Sequence, residues 1–449
     1  MRFGTDGVRG LANVELTAAF ALALGRAAGR VLGARTAVVG GDSRRSTPML
    51  DAALVAGLTA EGVDVIRLGV VPTPVVAHHA ARLDAAGLMV SASHNPHHDN
   101  GIKLFAPGGL KLANRTEREI EALLADLPPT GGEPGSVLDA STGPEHTAHL
   151  DTYVEHLLGA LAGGSASGGL AGLPVVVDAA NGAASELASP VFERAGADVV
   201  VIHADPDGRN INAGCGATDP TSLADEVRRR GARLGLALDG DADRLIAVDE
   251  LGRVVDGDHV IAICATDLQA RGRLRHGTVV TTVMANLGFR RAMEAAGITV
   301  VETPVGDRYV LAELDRGGFS LGGEQSGHVI FRELAPTGDG LLTGLVLADI
   351  VARSGRPLSE MADAAMTRFP QVLVNVTVDE RVPDVADRLA PEIAAAAAPL
   401  GREGRILVRA SGTEPLVRVM VEAPRADQAA AVADGLAAVV ADRFARRTG

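Results

Sequence analysis

Residues 36–47, TAVVGGDSRRST, and residues 60–69, AEGVDVIRLG, decide the fold. The first stretch starts as an apolar, β-branched run and breaks on Gly-Gly-Asp, and the second passes through a glycine into another apolar run. A helix-length segment separates them, so the pair reads as strand, polar turn, helix, strand. The same pattern returns as LPVVVDAANGAAS (173–185) with RAGADVVVIHAD (194–205), and again as GTVVTTVMANLGF (277–289) with EAAGITVVETPVGDR (294–308). Each βαβ unit implies parallel strands covered by helices, joined by right-handed crossovers. Three similar α/β domains with mainly parallel sheets follow.

A chain of 449 residues exceeds what one core supports, which agrees with several domains. After Phe369 the pattern changes to VLVNVTV, an Ala-rich helix near Ile393, ILVRA, LVRVMVE and a closing helix over 429–444, a smaller α+β domain. The expected divisions are 1–150, 151–255, 256–368 and 369–449. Linkers are expected in the Gly/Ser/Pro-rich stretch 130–172, at the DELGR turn near 250 and around Arg368. With 2% aromatic residues and no Trp, the core must be built from Ala, Val, Leu and Ile. The net charge of −14, with no basic run carrying interleaved aromatics, argues against a nucleic-acid partner. Cys215 and Cys264 have no CxxC spacing, so neither a disulfide framework nor a zinc site is expected. The opening MRFGTDGVRG lacks an apolar signal core, and Arg26 and Arg30 interrupt the Ala/Leu-rich stretch that follows. The expectation is a cytoplasmic protein without a membrane partner.

Polar loops at the ends of such strands are where ligands bind. LGLALDGDADRLIAVDE (234–250) sets Asp239, Asp241 and Asp243 at alternate positions between apolar runs. Three carboxylates this close repel unless a cation neutralises them, and oxygen-only donors suit Mg²⁺ or Ca²⁺, with a solvated acidic turn as the alternative. An EF-hand is excluded because Arg244 stands where its turn glycine belongs and the flanks read as strands. GRILVRASGTEPLVRVMVE (404–422) places Ser411, Gly412 and Thr413 between strands bearing Arg409 and Arg418, a donor set suited to a phosphate dianion or to a plain hairpin turn. LGGEQSGHVIF (321–331) offers Glu324, Ser326 and His328 on a glycine-flanked loop, which could hold sugar hydroxyls or only turn the chain. RFGTDGVRG and GGDSRRST each put arginine after a Gly/Asp turn, at Arg9 and at Arg44 with Arg45, suited to an anion or to a helix cap.

VSASHNPHHDNGIKLF (90–105) is a loop at its centre, because Asn95 before Pro96 is biased to extended geometry. His94, His97 and His98 lack metal-ligand spacing. Of the 42 basic residues only Lys103 and Lys111 are lysines. Lysine, unlike arginine, can lose its proton, so Lys103 beside the serine loop is a candidate general acid or base.

Taken in order, the serine loop, Asp-rich loop, GGEQSGH loop and RASGTEP loop resemble those of the α-D-phosphohexomutase family, and the resemblance covers essentially the whole chain. It implies four domains around a central cleft. SASHNP, NINAGCGATD (210–219), VGDRYV (305–310) and GGEQSGH are most similar to the glucosamine-phosphate members, whereas mannose- and glucose-phosphate members more often carry TGSHNP and GEMSGH-type loops. The implied reaction is interconversion of glucosamine 6-phosphate and glucosamine 1-phosphate, toward UDP-N-acetylglucosamine and the cell wall, with mannose or glucose phosphates as the alternative. In the family the serine directly before His-Asn-Pro is phosphorylated, which selects Ser93 over Ser91. A phosphoserine enzyme of this kind works through a hexose 1,6-bisphosphate, as intermediate or activator. By the same resemblance Asp239, Asp241 and Asp243, with the Ser93 phosphate, match the ligands of one Mg²⁺. Arg244, Glu324 and Ser326 fall at sugar-binding positions. Arg409, Ser411, Gly412, Thr413 and Arg418 match the clamp on the non-reacting phosphate, while Arg9, Lys103 and His328 match positions near the transferring group. Ala242 departs from the family, where glycine is commoner. A monomer or homodimer acting on a small hexosamine phosphate is expected. A metal-dependent phosphatase and a non-catalytic sugar-phosphate sensor are the rival classes.

Overall fold

The computed structural model describes residues 2–4, 6–161, 169–411 and 415–445. The chain separates into two compact units, residues 1–284 with 297–365, and residues 285–296 with 366–449.

Three sheets lie in the first unit. The largest runs Val8–Leu11, Asp99–Ala106, Ala86–Val90, Thr36–Gly41, Asp64–Val70, Val137–Asp139, with Leu110–Lys111 on the flank of Asp99–Ala106. Thr36–Gly41 pairs in parallel with both Asp64–Val70 and Ala86–Val90. The second sheet runs Val254–Val255, Leu245–Asp249, Leu234–Leu238, Pro174–Asp178, Asp198–Ile202, and the third Thr299–Thr303, Thr278–Thr282, Leu321–Gly323, Val329–Phe331. In all three expected βαβ units the two strands are parallel neighbours. Their crossover helices are Thr47–Ala60, Ala188–Arg194 and Leu287–Ala295.

Small residues let layers approach. Gly25 on the helix Ala18–Leu32 and Gly57 on Thr47–Ala60 face one another, and a Cβ would stand 2.5 Å from Leu54 O at the first and 2.2 Å from Leu22 O at the second. The two backbones therefore touch, which a ring-poor, alanine-rich sequence permits.

Each sheet of the first unit also contains one parallel strand that turns back into an antiparallel neighbour. These pairs are Ala86–Val90 with Asp99–Ala106, Leu234–Leu238 with Leu245–Asp249, and Leu321–Gly323 with Val329–Phe331. The connecting loops are 91–98, 239–244 and 324–328, the serine, aspartate and GGEQSGH loops. One structural device, repeated with the repeat, carries three functional motifs at the strand ends.

Two linker expectations are corrected. The stretch 130–172 contains the strand Val137–Asp139, paired in parallel with Asp64–Val70, and the helix Gly143–Leu158. That helix buries Leu150, Tyr153, Val154, Leu157 and Leu158, a helical spacing that the interspersed histidines obscure. The DELGR segment is a hairpin turn inside the second sheet, with Gly252 N–H donating to Asp249 O at 2.9 Å.

The second unit holds an antiparallel sheet in the order Gln371–Thr377, Leu416–Glu422, Arg405–Ala410. The helix Ala426–Phe444 packs against it through Ala429, Ala433, Leu436 and Val440, which meet Val417, Val419 and Val421. Among the described residues no helix is long and apolar enough to cross a membrane.

Candidate active site

Ser93 sits just beyond the strand Ala86–Val90 with φ +54°, the left-handed region that a non-glycine residue enters only when its surroundings hold it there. Arg44 supplies most of the hold. Fully buried, its guanidinium donates through Nη2 to Ser93 O at 2.9 Å and Asn95 O at 2.8 Å, and through Nη1 to Asp99 O at 3.1 Å and to Pro96 O. Its Nε donates to Asp42 Oδ2 at 2.8 Å, and Asp42 in turn accepts from Ser91 Oγ at 2.7 Å and Thr47 Oγ1 at 3.0 Å. Asn212 Nδ2 adds a donor to Ser93 O at 3.0 Å. Ser93 Oγ then donates to Asp239 Oδ2 at 2.6 Å, with His94 Nδ1 3.2 Å away. Burial, and then the Arg244 and Arg9 charges, push the His94 imidazole down to about 4, so it is neutral near pH 7. His97 and His98 are exposed.

The loop Asp239–Arg244 approaches from the second sheet. A Cβ at Gly240 would stand 2.6 Å from Ser93 O, so the glycine between the first two aspartates is required for the loops to meet. Ala242 has φ +55°, which explains why glycine suits this position; alanine bears a cost of about 1 kcal/mol there. Asp241 Oδ2 accepts from Thr73 Oγ1 at 2.6 Å and lies 2.7 Å from Lys103 Nζ. Asp243 Oδ2 accepts from Lys103 Nζ at 2.7 Å, and Asp6 Oδ2 lies 3.0 Å from the same ammonium. Although burial opposes its charge, Asp241, Asp243 and Asp6 hold Lys103 well above the usual lysine range. Burial, with the charges of Asp243 and Asp241, pushes the Asp239 carboxyl up to about 7.

The triad fits a hard cation. One oxygen from each of Asp239, Asp241 and Asp243 lies within 4.8 Å of the others. Among the described residues Asp241 Oδ1 and Asp243 Oδ1 are buried without a hydrogen-bond partner, and an all-oxygen donor set with two such carboxylate oxygens suits Mg²⁺.

The third loop joins through His328, whose Nδ1 is 3.7 Å from Asp243 Oδ1, an ion-pair distance rather than a hydrogen bond. Gly338 N–H donates to its Nε2 at 3.2 Å. Glu324 Oε1 accepts from Gly306 N–H at 3.1 Å, and burial raises its carboxyl above the ordinary value. Ser326 is exposed at the turn. Arg244 is partly buried, its Nε 3.9 Å from Asp243 Oδ1. Arg9 pairs with Asp6 at 2.8 Å. Lys111, the second rare lysine, bridges Asp6 Oδ1 at 2.5 Å and Asp307. Residues from three sheets thus converge on one polar centre.

In the second unit Arg409 and Arg418 are direct cross-strand partners. Burial and the Arg418 charge pull the Arg409 guanidinium below its ordinary value, and Arg418 Nε is buried with no hydrogen-bond partner among the described residues. Like charges opposed across a ladder destabilise it, so the pair favours an anion. Ser411 is buried, its N–H bonded to Leu416 O at 2.7 Å, while Gly412 and Thr413 lie outside the described residues.

The sequence alone gives no role to Asp6, Asp42, Thr73, Lys111, Asn212 or Asp307, and the anion or helix-cap role it offers Arg44 is replaced by the hold on the serine loop. The Gly/Asp turns with arginines, the count of two lysines and the VGDRYV motif were the available signals.

Four family models match in order: the alpha/beta/alpha domains I, II and III of phosphoglucomutase/phosphomannomutase over residues 1–129, 151–252 and 256–369, and the C-terminal domain over 373–439. The chain belongs to the phosphoglucomutase/phosphomannomutase family. A phosphoglucosamine mutase of Frankia casuarinae is 55% identical, with 98% of this chain and 97% of the relative covered. One from Mycolicibacterium paratuberculosis is 52% identical, with 98% of each covered. Among solved structures, a putative phosphomannomutase from Thermus thermophilus superimposes with TM-score 0.79 at 27% identity, over 98% of this chain and 99% of that one. The four-domain α/β architecture is that of the phosphohexomutases.

Proposed function

We propose that the chain is a phosphoglucosamine mutase, interconverting glucosamine 6-phosphate and glucosamine 1-phosphate through phospho-Ser93. The observation that carries this reading is the 2.6 Å hydrogen bond from Ser93 Oγ to Asp239, which sets one hydroxyl at the edge of a three-carboxylate cluster. It stands in a chain similar over its whole length to relatives of that name.

Phospho-Ser93 passes its phosphoryl group to the free hydroxyl of the bound sugar monophosphate. The Ser93 Oγ–P bond breaks as the sugar O–P bond forms, giving a 1,6-bisphosphate whose other phosphate later returns to Ser93. The sugar hydroxyl loses one proton and Ser93 Oγ gains one. Lys103 or His328 would carry it. Asp239, Asp241 and Asp243 would hold Mg²⁺ together with the phosphate; when bound, the ion neutralises charge on the phosphoryl oxygens. Arg44 and Asn212 keep the loop in its strained geometry, so Ser93 is presented rather than searching. Arg244, Glu324 and Ser326 would take the sugar, Arg9 the reacting phosphate side, and Arg409, Ser411, Gly412, Thr413 and Arg418 the distant phosphate.

Turnover compared on glucosamine, glucose and mannose 6-phosphates tests the assignment. Preference for glucosamine 6-phosphate supports it, and faster turnover of mannose or glucose phosphate replaces it with a phosphomannomutase/phosphoglucomutase. Inorganic phosphate as the main product would make it a phosphatase.

A further inference from the structure

A second set of metal-ligand side chains lies in the first unit, apart from the aspartate triad. Asp178 ends the strand Pro174–Asp178, His203 follows Asp198–Ile202, and Cys215 belongs to the NINAGCGATD segment. One ligand atom from each lies within 4.8 Å of the other two. Asp178 and Cys215 are fully buried, whereas the His203 side chain is 31% exposed, leaving a way in for a small ion.

The Asp178 carboxylate is already aimed. Its Oδ1 accepts from Ala180 N–H at 2.9 Å and its Oδ2 from Gly216 N–H at 2.8 Å, and each oxygen retains acceptor capacity. His203 Nδ1 faces the same carboxylate, 3.1 Å from Asp178 Oδ2, an ion pair when the imidazole is protonated. Cys215 Sγ has only a long contact, 3.9 Å, from Asn181 Nδ2. A carboxylate, the imidazole nitrogen facing it and a thiol thus converge. The donors differ in kind from the oxygen-only triad: mixed N, O and S ligands select Zn²⁺ over Mg²⁺.

We propose that Asp178, His203 and Cys215 form a binding site for a Zn²⁺-class cation, with water as the fourth ligand. Binding converts the Cys215 thiol to thiolate and releases its proton to solvent, so affinity rises with pH. The ligand-bearing loops also reach the first sheet's polar turns: Asn181 O accepts from Ser43 Oγ of the GGDSRRST turn at 2.6 Å, and Asn212, three residues before Cys215, donates to Ser93 O in the serine loop.

The test uses the full chain in excess Mg²⁺, the cation proposed for the aspartate triad. Zn²⁺ bound per chain is measured by equilibrium dialysis, and Co²⁺ serves as a spectroscopic stand-in. One Zn²⁺ per chain should remain bound, about one proton should be released, and Co²⁺ should give a thiolate-to-metal absorption band that Cys215→Ser removes. The half-buried His203 allows a milder variant, and His203→Gln should weaken Zn²⁺ binding at least tenfold. Absence of the thiolate band, or Zn²⁺ binding unchanged in His203→Gln, overturns the proposal whether or not Cys215→Ser folds.

Discussion

Replacing Arg44 by methionine keeps the length of the side chain and removes its guanidinium. In the parent, that buried group meets the buried Asp42 and four backbone carbonyls, of which that of Ser93 is buried and the others are partly so. Removing one partner of a buried ion pair costs about 3–5 kcal/mol, because the charge left behind has no counter-ion. Asp42 lessens that cost by taking up a proton, since burial already raises its carboxyl above the ordinary value. The carbonyls of Ser93, Asn95, Pro96 and Asp99 then lack their donor, at about 1 kcal/mol or more apiece where water cannot enter. We expect a stability loss of about 4 kcal/mol by urea denaturation. We also expect kcat to fall at least a hundredfold with the sugar-phosphate KM nearly unchanged, because φ +54° at Ser93 is no longer enforced. Arg44→Lys restores charge but not the fork, so it should recover stability more than kcat. Asp42→Asn added to Arg44→Met should return part of the stability and none of the turnover. The reasoning is refuted if Arg44→Met stays within about 0.5 kcal/mol of the parent, or if the double variant regains full kcat.

Acid should destabilise the first unit through His79. Burial, then the His149 charge, lowers its imidazole from 6.5 to about 4, so its contribution is present above pH 6.5 and lost as pH falls toward 4. Between pH 7.5 and 5 the loss is about 2 kcal/mol by linkage. Part is offset by Asp339, which burial raises to about 6 and whose protonation favours the folded state over the same range. Tm against pH should flatten in His79→Gln, and an unchanged slope contradicts the assignment. Thr73→Val removes the hydroxyl that orients Asp241 and should raise the Mg²⁺ concentration for half-maximal activity about 10–100-fold, with little change in kcat at saturation. An unaltered Mg²⁺ titration would show that Thr73 does not orient a ligand. Arg418→Met should stabilise the second unit by a few tenths of a kcal/mol, about the size of a relieved cross-strand repulsion, while raising substrate KM. A fall in stability together with an unchanged KM would assign Arg418 to the fold alone.

The strands were legible because their apolar runs are local, and the three βαβ units appear as their spacing predicts. The Asp239–Asp241–Asp243 motif was legible for the same reason, three carboxylates in five residues being a local anomaly. Arg44 was not, although GGDSRRST was singled out. Its partners are carbonyl oxygens of residues 93 to 99, which have no side-chain signature, and nothing local separates it from the exposed Arg45. Thr73 and Asp6 reach the site across the chain, at Asp241 and at Lys103, so only the tertiary fold reveals them. The scarcity of lysine was informative beyond Lys103, because Lys111 also ends in the polar centre, between Asp6 and Asp307. The helix Gly143–Leu158 was missed because Gly, Ser and Pro around it suggested a linker.

The central claim is that Ser93 carries the phosphoryl group. Intact mass with phosphosite mapping, on parent and Ser93→Ala after incubation with glucosamine 1,6-bisphosphate, tests it most directly. The parent should carry one phosphoryl group, on Ser93, and the variant none, with exchange lost and sugar-phosphate binding retained. Phosphate mapped to Ser91 or another residue, or substantial exchange by Ser93→Ala, would contradict it.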